Sequence, residues 1–234
     1  MQFNNDESKV LTEGDSFSAY PVDNHYLFIA EEETNFIYVT SRPVFHHYSK
    51  ISKELMDLAI AIEEKDGYTA EHCHRITKLS MLVGEKMGLS KGEIIDLNFG
   101  SFLHDIGKTK IPISILRKPA KLTNFEWIEM KKHPIYGYEI LRNTGISHFV
   151  SAAKIIEQHH ERFDGSGYPY QLKGEEILIG AAIVAVVDSY DAMTTDRVYQ
   201  TARTKVEALA EIKRCKGTLY HPDVVDIFLS LEIK

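Results

Sequence analysis

Cysteine is scarce in this chain. Cys73 and Cys215 are the only two, and neither has a partner at metal-site or redox-motif spacing. A disulfide framework is thereby excluded as the main source of stability, and both thiols read as small buried or half-buried residues. Long hydrophobic runs are missing too. The longest, Ile177 to Val187, is broken by Gly180 and is too short to cross a bilayer, and no early apolar run follows a basic N-terminus. No membrane span is expected, and the chain reads as cytoplasmic. Positive charge is in deficit, with 27 Lys and Arg against 34 Asp and Glu and a net charge of −7. This argues against a groove for a nucleic-acid polymer, which needs a basic stripe. A phosphate-ester substrate would have to be attracted by bound cations. Also absent are internal repeats, low-complexity tracts and any Gly/Ser-rich linker.

What remains is a chain of 234 residues, 44% hydrophobic, long enough for one large domain with a small appendage. Residues 1–45 carry two short aromatic and β-branched runs, Tyr26 to Ala30 and Asn35 to Thr40, around the acidic turn Glu31-Glu32-Glu33. These predict a hairpin, a small β-rich segment that is sensory or the remnant of a larger module. From Ser49 the period changes. Ile51, Leu55, Leu58, Ala59 and Ile62 share one helical face, a pattern that serves either the core or a homodimer surface, the core being the commoner use. A second helix is expected from about Thr69. Capping boxes at Ser90/Glu93, Thr123/Glu126 and Thr204/Glu207 mark three further helix starts. Pro222 suits a first turn, and Gly107, Gly145 and Gly217 read as helix stops. The expected fold is an all-α domain over 49–234, with a soft boundary near 42–48.

The chemistry lies in the histidines. His159-His160 precedes a loop stiffened by Gly165, Gly167 and Pro169, and His104-Asp105 is a second doublet. Successive residues on a helix diverge by about 100°, so such doublets suit two neighbouring ions better than one. A carboxylate such as Asp105 can bridge ions about 3.5–4 Å apart, the separation used for in-line phosphoryl displacement. His72 precedes Ile76, Leu79 and Val83 at helical spacing and is expected on a buried face, whereas His74 points away. Pro134 predicts a helix break that presents His133 into a cavity, and Asp188 at the end of an apolar run needs a cation if buried. Lys108 reads as a phosphate-directed ammonium or an ordinary helix-end cation. Histidines 25, 46, 47, 148 and 221 are read as carrying no function. Imidazole plus carboxylate without thiolate suits iron or manganese, with zinc, nickel or cobalt as other occupants, and disfavours a structural zinc cage.

The ordered set Asp66-x-Tyr68-Thr69-x-x-His72, His104-Asp105-x-Gly107-Lys108, His133-Pro134, His159-His160-Glu161-x-x-Asp164-Gly165-x-Gly167-Tyr168-Pro169 and Asp188-x-x-Asp191 resembles the HD-GYP family of bacterial cyclic di-GMP phosphodiesterases. The resemblance covers nearly everything after Ser49 and implies an all-α HD-type helical domain. It implies that His72, His104 and Asp188 hold one divalent ion, that His133, His159 and His160 hold a second, and that Asp105 bridges them. A water shared by the ions would be the nucleophile, and Lys108 would steady the phosphoryl oxygens. Asp191, Arg197, Gly167, Tyr168 and Pro169 would lie near the substrate. Two departures stand out. Where three-metal members carry Glu, four residues before the first histidine ligand, this chain has Tyr68, and Gln200 replaces a basic residue three after Arg197. Two ions, iron or manganese, are therefore expected.

The implied activity is hydrolysis of cyclic di-GMP to pGpG, with onward cutting to GMP left open. Competing readings are the same chemistry on another cyclic nucleotide, a di-iron oxygenase, and a weakly active sensor or adaptor that binds diguanylate cyclases through the loop at 164–169.

Overall fold

The structure, a computed structural model, describes residues 44–66, 71–195 and 202–231, all within one compact unit, Tyr38–Lys234. The expected hairpin, Tyr68, Arg197 and Gln200 lie outside the described residues. Ten helices are described: α1 Val44–Asp66, α2 Glu71–Lys86, α3 Lys91–Phe102, α4 Ile113–Leu116, α5 Asn124–Met130, α6 His133–Arg142, α7 Ser147–Gln158, α8 Ile179–Thr194, α9 Lys205–Arg214 and α10 Pro222–Leu229. A 3₁₀ turn, Ile106–Lys110, follows α3, and another, Gly174–Glu176, precedes α8. Among the described residues there is no strand, only an isolated bridge between Lys216 and Tyr220.

The helix starts follow local chemistry. Ser90, Thr123 and Thr204 each accept from the backbone N–H three residues on, and Glu93, Glu126 and Glu207 reach back to the cap. Each box satisfies two otherwise orphaned donors and stabilises its helix by about 1 kcal/mol. Pro222 opens α10, where the His221 side chain accepts from the Asp223 amide. His221 is thus a cap, in keeping with its non-functional reading.

Helix α8 is apolar on nearly all sides, with Ala181, Ile183, Val184, Val186 and Val187 buried, so it becomes the centre of the fold. Helices α2, α3, α7, α9 and α10 pack around it. A second cluster joins Leu55 and Ala59 of α1 to Phe102, Leu103, Leu141 and Phe149. Helix α1 begins at Val44 rather than Ser49 and turns Leu55, Ala59 and Ile62 into the core. Leu58, expected on that face, is 42% exposed. Gly107 is not a helix stop, because α3 has already ended at Phe102. A Cβ there would collide with the His133 carbonyl and the Gly137 amide, so glycine is what lets the 3₁₀ turn press against α6.

Candidate metal centre

Most of the candidate ligands stand where helices stop. His104 and Asp105 follow the end of α3, His133 follows the end of α5, and His159 and His160 follow the end of α7. In each case the last turn leaves carbonyls without an intrahelical donor. The imidazoles supply one: Nδ1 of His104 donates to the Ser101 carbonyl at 2.8 Å, His133 to Met130 at 2.9 Å and His159 to Ile156 at 2.6 Å. A carbonyl only accepts, so each Nδ1 carries a proton and Nε2 is the nitrogen left to face a cation. His72, inside α2, reaches the same state by donating Nδ1–H to Asp191 Oδ2 at 2.7 Å. These are the outer-shell partners that orient metal-ligating histidines.

Two donor groups result. One contains Glu63, His72, His104 and Asp105, the other Asp105, His133, His159 and His160, and within each group the donor atoms lie within 4.8 Å of one another. Opposed donors about 2.0–2.2 Å from one ion stand roughly 4–4.4 Å apart, so each group is close to the size one cation requires. Asp105 divides its oxygens between them. Oδ1 lies 3.1 Å from His133 Nε2 and 3.9 Å from His159 Nε2, while Oδ2 lies 3.3 Å from His104 Nε2. Asp188 Oδ1 is 3.9 Å from Nε2 of both His72 and His104. The expectation that a histidine doublet splits between two ions does not describe His159-His160. Their ring centroids are 4.0 Å apart in one group, because the chain leaves helical geometry between them.

The charges match a cation site. Burial, reinforced by neighbouring imidazoles, pushes His159 and His160 well below the ordinary histidine range, which keeps both neutral. Burial works against a charge on His104, but Asp105, Asp188 and Glu63 outweigh it and push the ring up to about 10. Burial likewise opposes ionisation of Asp105, yet Lys108 and His104 hold its carboxyl well below the ordinary range. Where no metal is bound, a proton on His104 does part of a metal's electrostatic work. Imidazoles turning Nε2 toward buried carboxylates are the donor set that a divalent transition ion fits.

Lys108 stands beyond the end of α3. It lies in the 3₁₀ turn, its ammonium 2.7 Å from Asp105 Oδ2 and 2.5 Å from Asp66 Oδ2. Asp191, expected near the substrate, is 3% exposed and is held by Arg75 at 2.6 and 2.9 Å as well as by His72. Burial would raise its carboxyl, but Arg75 and His72 bring it down to about 2. It stands behind His72 and orients that ring. Of the loop residues, Tyr168 stacks on His160 at 4.7 Å. Gly167 is needed for close approach rather than for unusual dihedrals, because a Cβ would meet backbone atoms of His160, Glu161 and Arg162. Pro169 follows in the same loop, and Glu161 fastens the loop's exit by accepting from the Tyr170 and Leu172 amides at 2.6 and 3.1 Å.

No role was read in the sequence for Glu63, Arg75, Trp127 or Glu161, the last quoted only within its motif. Glu63 had a signal: it lies four residues beyond Ala59 on the core face of α1, where a carboxylate needs a cation. Trp127 had none, since α5 buries no residue. It stands edge-on to Tyr168 at 6.2 Å and is 46% exposed.

A helical core with histidine and aspartate donors at its helix ends defines a class, and comparison with known proteins gives it a name. The model of the HD domain matches residues 57–224. The chain belongs to the HD-domain family and, with its HD-GYP motifs, to the HD-GYP group. It is 39% identical over 210 residues to a cyclic di-GMP phosphodiesterase of Thermotoga maritima, covering 89% of this chain and 57% of that protein. It is 44% identical over 175 residues to the cyclic di-GMP phosphodiesterase response regulator RpfG of Xanthomonas campestris, covering 75% and 46%. The chain therefore spans about half the length of these relatives. Among solved structures, a cyclic GMP-AMP specific phosphodiesterase of Vibrio cholerae shares the fold, with a TM-score of 0.61 at 23% identity over 76% of this chain and 47% of that one.

Proposed function

We propose that the chain is a metal-dependent phosphodiesterase that opens cyclic di-GMP to pGpG, working with two divalent ions, iron or manganese. The observation that carries this reading is Asp105, whose two oxygens face two separate histidine groups. When bound, the ions supply charge neutralisation and an activated water for in-line attack on a phosphodiester. His72, His104 and Asp188 would hold the first, His133, His159 and His160 the second, and Asp105 would join them. The chain's own residues do the rest. Lys108 balances the shared carboxylate and places a cation where phosphoryl oxygens gain charge. Asp191 and the helix-end carbonyls fix the imidazole tautomers, and Glu161 anchors the loop that carries Tyr168. The aromatic series from His160 through Tyr168 to exposed Trp127 offers a face on which a purine can stack. The choice of a cyclic dinucleotide is supported by what the relatives from Thermotoga and Xanthomonas are named for. The free, buried Cys73 and Cys215 suit a reducing compartment, the cytoplasm.

The test is metal analysis of anaerobically purified protein alongside product chromatography from cyclic di-GMP. We expect two ions per chain, hydrolysis that stops on chelation, and loss of both ions and activity in Asp105→Ala. Tight binding of cyclic di-GMP without turnover by iron- or manganese-loaded protein would replace the enzyme with a nucleotide sensor.

A further inference from the structure

Glu63 is the most exceptional buried group that this mechanism leaves unused. It lies near the end of α1, is 1% exposed, and both carboxylate oxygens are buried with no hydrogen-bond partner among the described residues. Leaving an ionised carboxylate in that state costs several kcal/mol, and natural folds avoid it unless a cation or donor is supplied. The side chain does not point into apolar packing. Its Oε2 lies 3.7 Å from His72 Nε2, and it shares one donor group with His72, His104 and Asp105, all within 4.8 Å. The facing His104 Nε2 is also buried without a hydrogen-bond partner.

We propose that Glu63 is a direct carboxylate ligand of the ion held by His72, His104, Asp105 and Asp188. The inference rests on the two-ion reading above and adds a donor to it. A carboxylate enclosed with no donor on either oxygen needs a counter-charge. An ion at this position supplies the charge and occupies both orphaned faces, that of Glu63 and that of His104.

The consequence is two unlike half-sites. The first carries Glu63, Asp188 and a share of Asp105 beside two imidazoles. The second carries three imidazoles and the other share of Asp105. Carboxylate-rich sites favour harder ions and imidazole-rich sites the later transition metals. The first half-site should therefore depend most on Glu63 when manganese is the occupant.

The test uses the full chain and Mn²⁺ alone, titrated anaerobically with equilibrium dialysis and elemental analysis, comparing wild type with Glu63→Gln. Glutamine keeps the shape and hydrogen-bonding capacity of glutamate but is a poor ligand. We expect one of the two wild-type ions to bind at least tenfold more weakly in the variant and the other to be unchanged. Glu63→Asp should fall between the two. Thermal melting of the metal-free proteins separates ligation from misfolding. Metal-free Glu63→Gln should melt no lower than wild type, because it removes a buried acid. If wild type takes up two ions and Glu63→Gln binds both within twofold of wild-type affinity, Glu63 is not a ligand. A wild-type chain that takes up a single ion would overturn the two-ion reading instead. Glu63 would then stand or fall by whether the variant weakens that ion.

Discussion

At the scale of single residues, the centre is organised by where each imidazole puts its proton. His104, His133 and His159 donate from Nδ1 to the carbonyl three residues earlier, so a helix end sets both tautomer and direction. Proton stoichiometry follows. His159 and His160 are held neutral and have no proton to lose to a metal near neutral pH. His104, pushed up to about 10, carries one at pH 8 and must release it from Nε2 when an ion binds. Metal binding at pH 8 should thus release about one proton per chain, and the affinity of that half-site should rise about tenfold per pH unit between pH 7.5 and 9. Calorimetric titration in buffers of different ionisation enthalpy measures the release. A binding heat independent of buffer would contradict the assignment.

At the scale of elements, α5 is unusual. It buries none of its residues, exposes Phe125 at 77% and Ile128 at 56%, and sets Trp127 beside Tyr168 at the rim of the histidine groups. A short helix with no buried residue is held by its Thr123 and Glu126 capping box and by the Lys118–Glu126 pair at 2.6 Å. It is free to present aromatic surface. Stacking of a base on such a ring is worth about 1–3 kcal/mol. Trp127→Ala should therefore raise KM for cyclic di-GMP roughly tenfold while kcat and metal content stay near wild type. Steady-state kinetics with parallel metal analysis decides this, and an unchanged KM would remove Trp127 from the substrate's path.

At the scale of the whole molecule, the donors come from α1, α2, the segment after α3, the start of α6, the end of α7 and α8. Each bound ion would tie together the elements of its own donor group. Without it, the buried carboxylates of Glu63 and Asp105 face one another across a low-dielectric interior, relieved chiefly by Lys108. Chelation should lower Tm, and readdition of metal at about a hundred times Kd should restore roughly 2.7 kcal/mol per site. Thermal melts with and without chelator at pH 7.5 test this. Equal melting temperatures would mean that the fold carries the centre without help from an ion.

The sequence by itself determined the helical class, the capping-box starts of α3, α5 and α9, and the chemistry of most side chains that converge in the two groups. These depend on local spacing: a Ser or Thr three residues before a Glu satisfies its own backbone wherever it occurs, and imidazole and carboxylate carry their chemistry with them. Only the tertiary structure decided the rest. It brought Glu63 from α1 to His72, set Asp191 against Arg75 and His72, and paired Lys108 with Asp66. It also turned His159 and His160 toward one point, a convergence that helical spacing argues against. The reason is physical. Donor convergence depends on where helices stop and which faces they bury against one another, and those are set by packing around α8 rather than by any local run of residues.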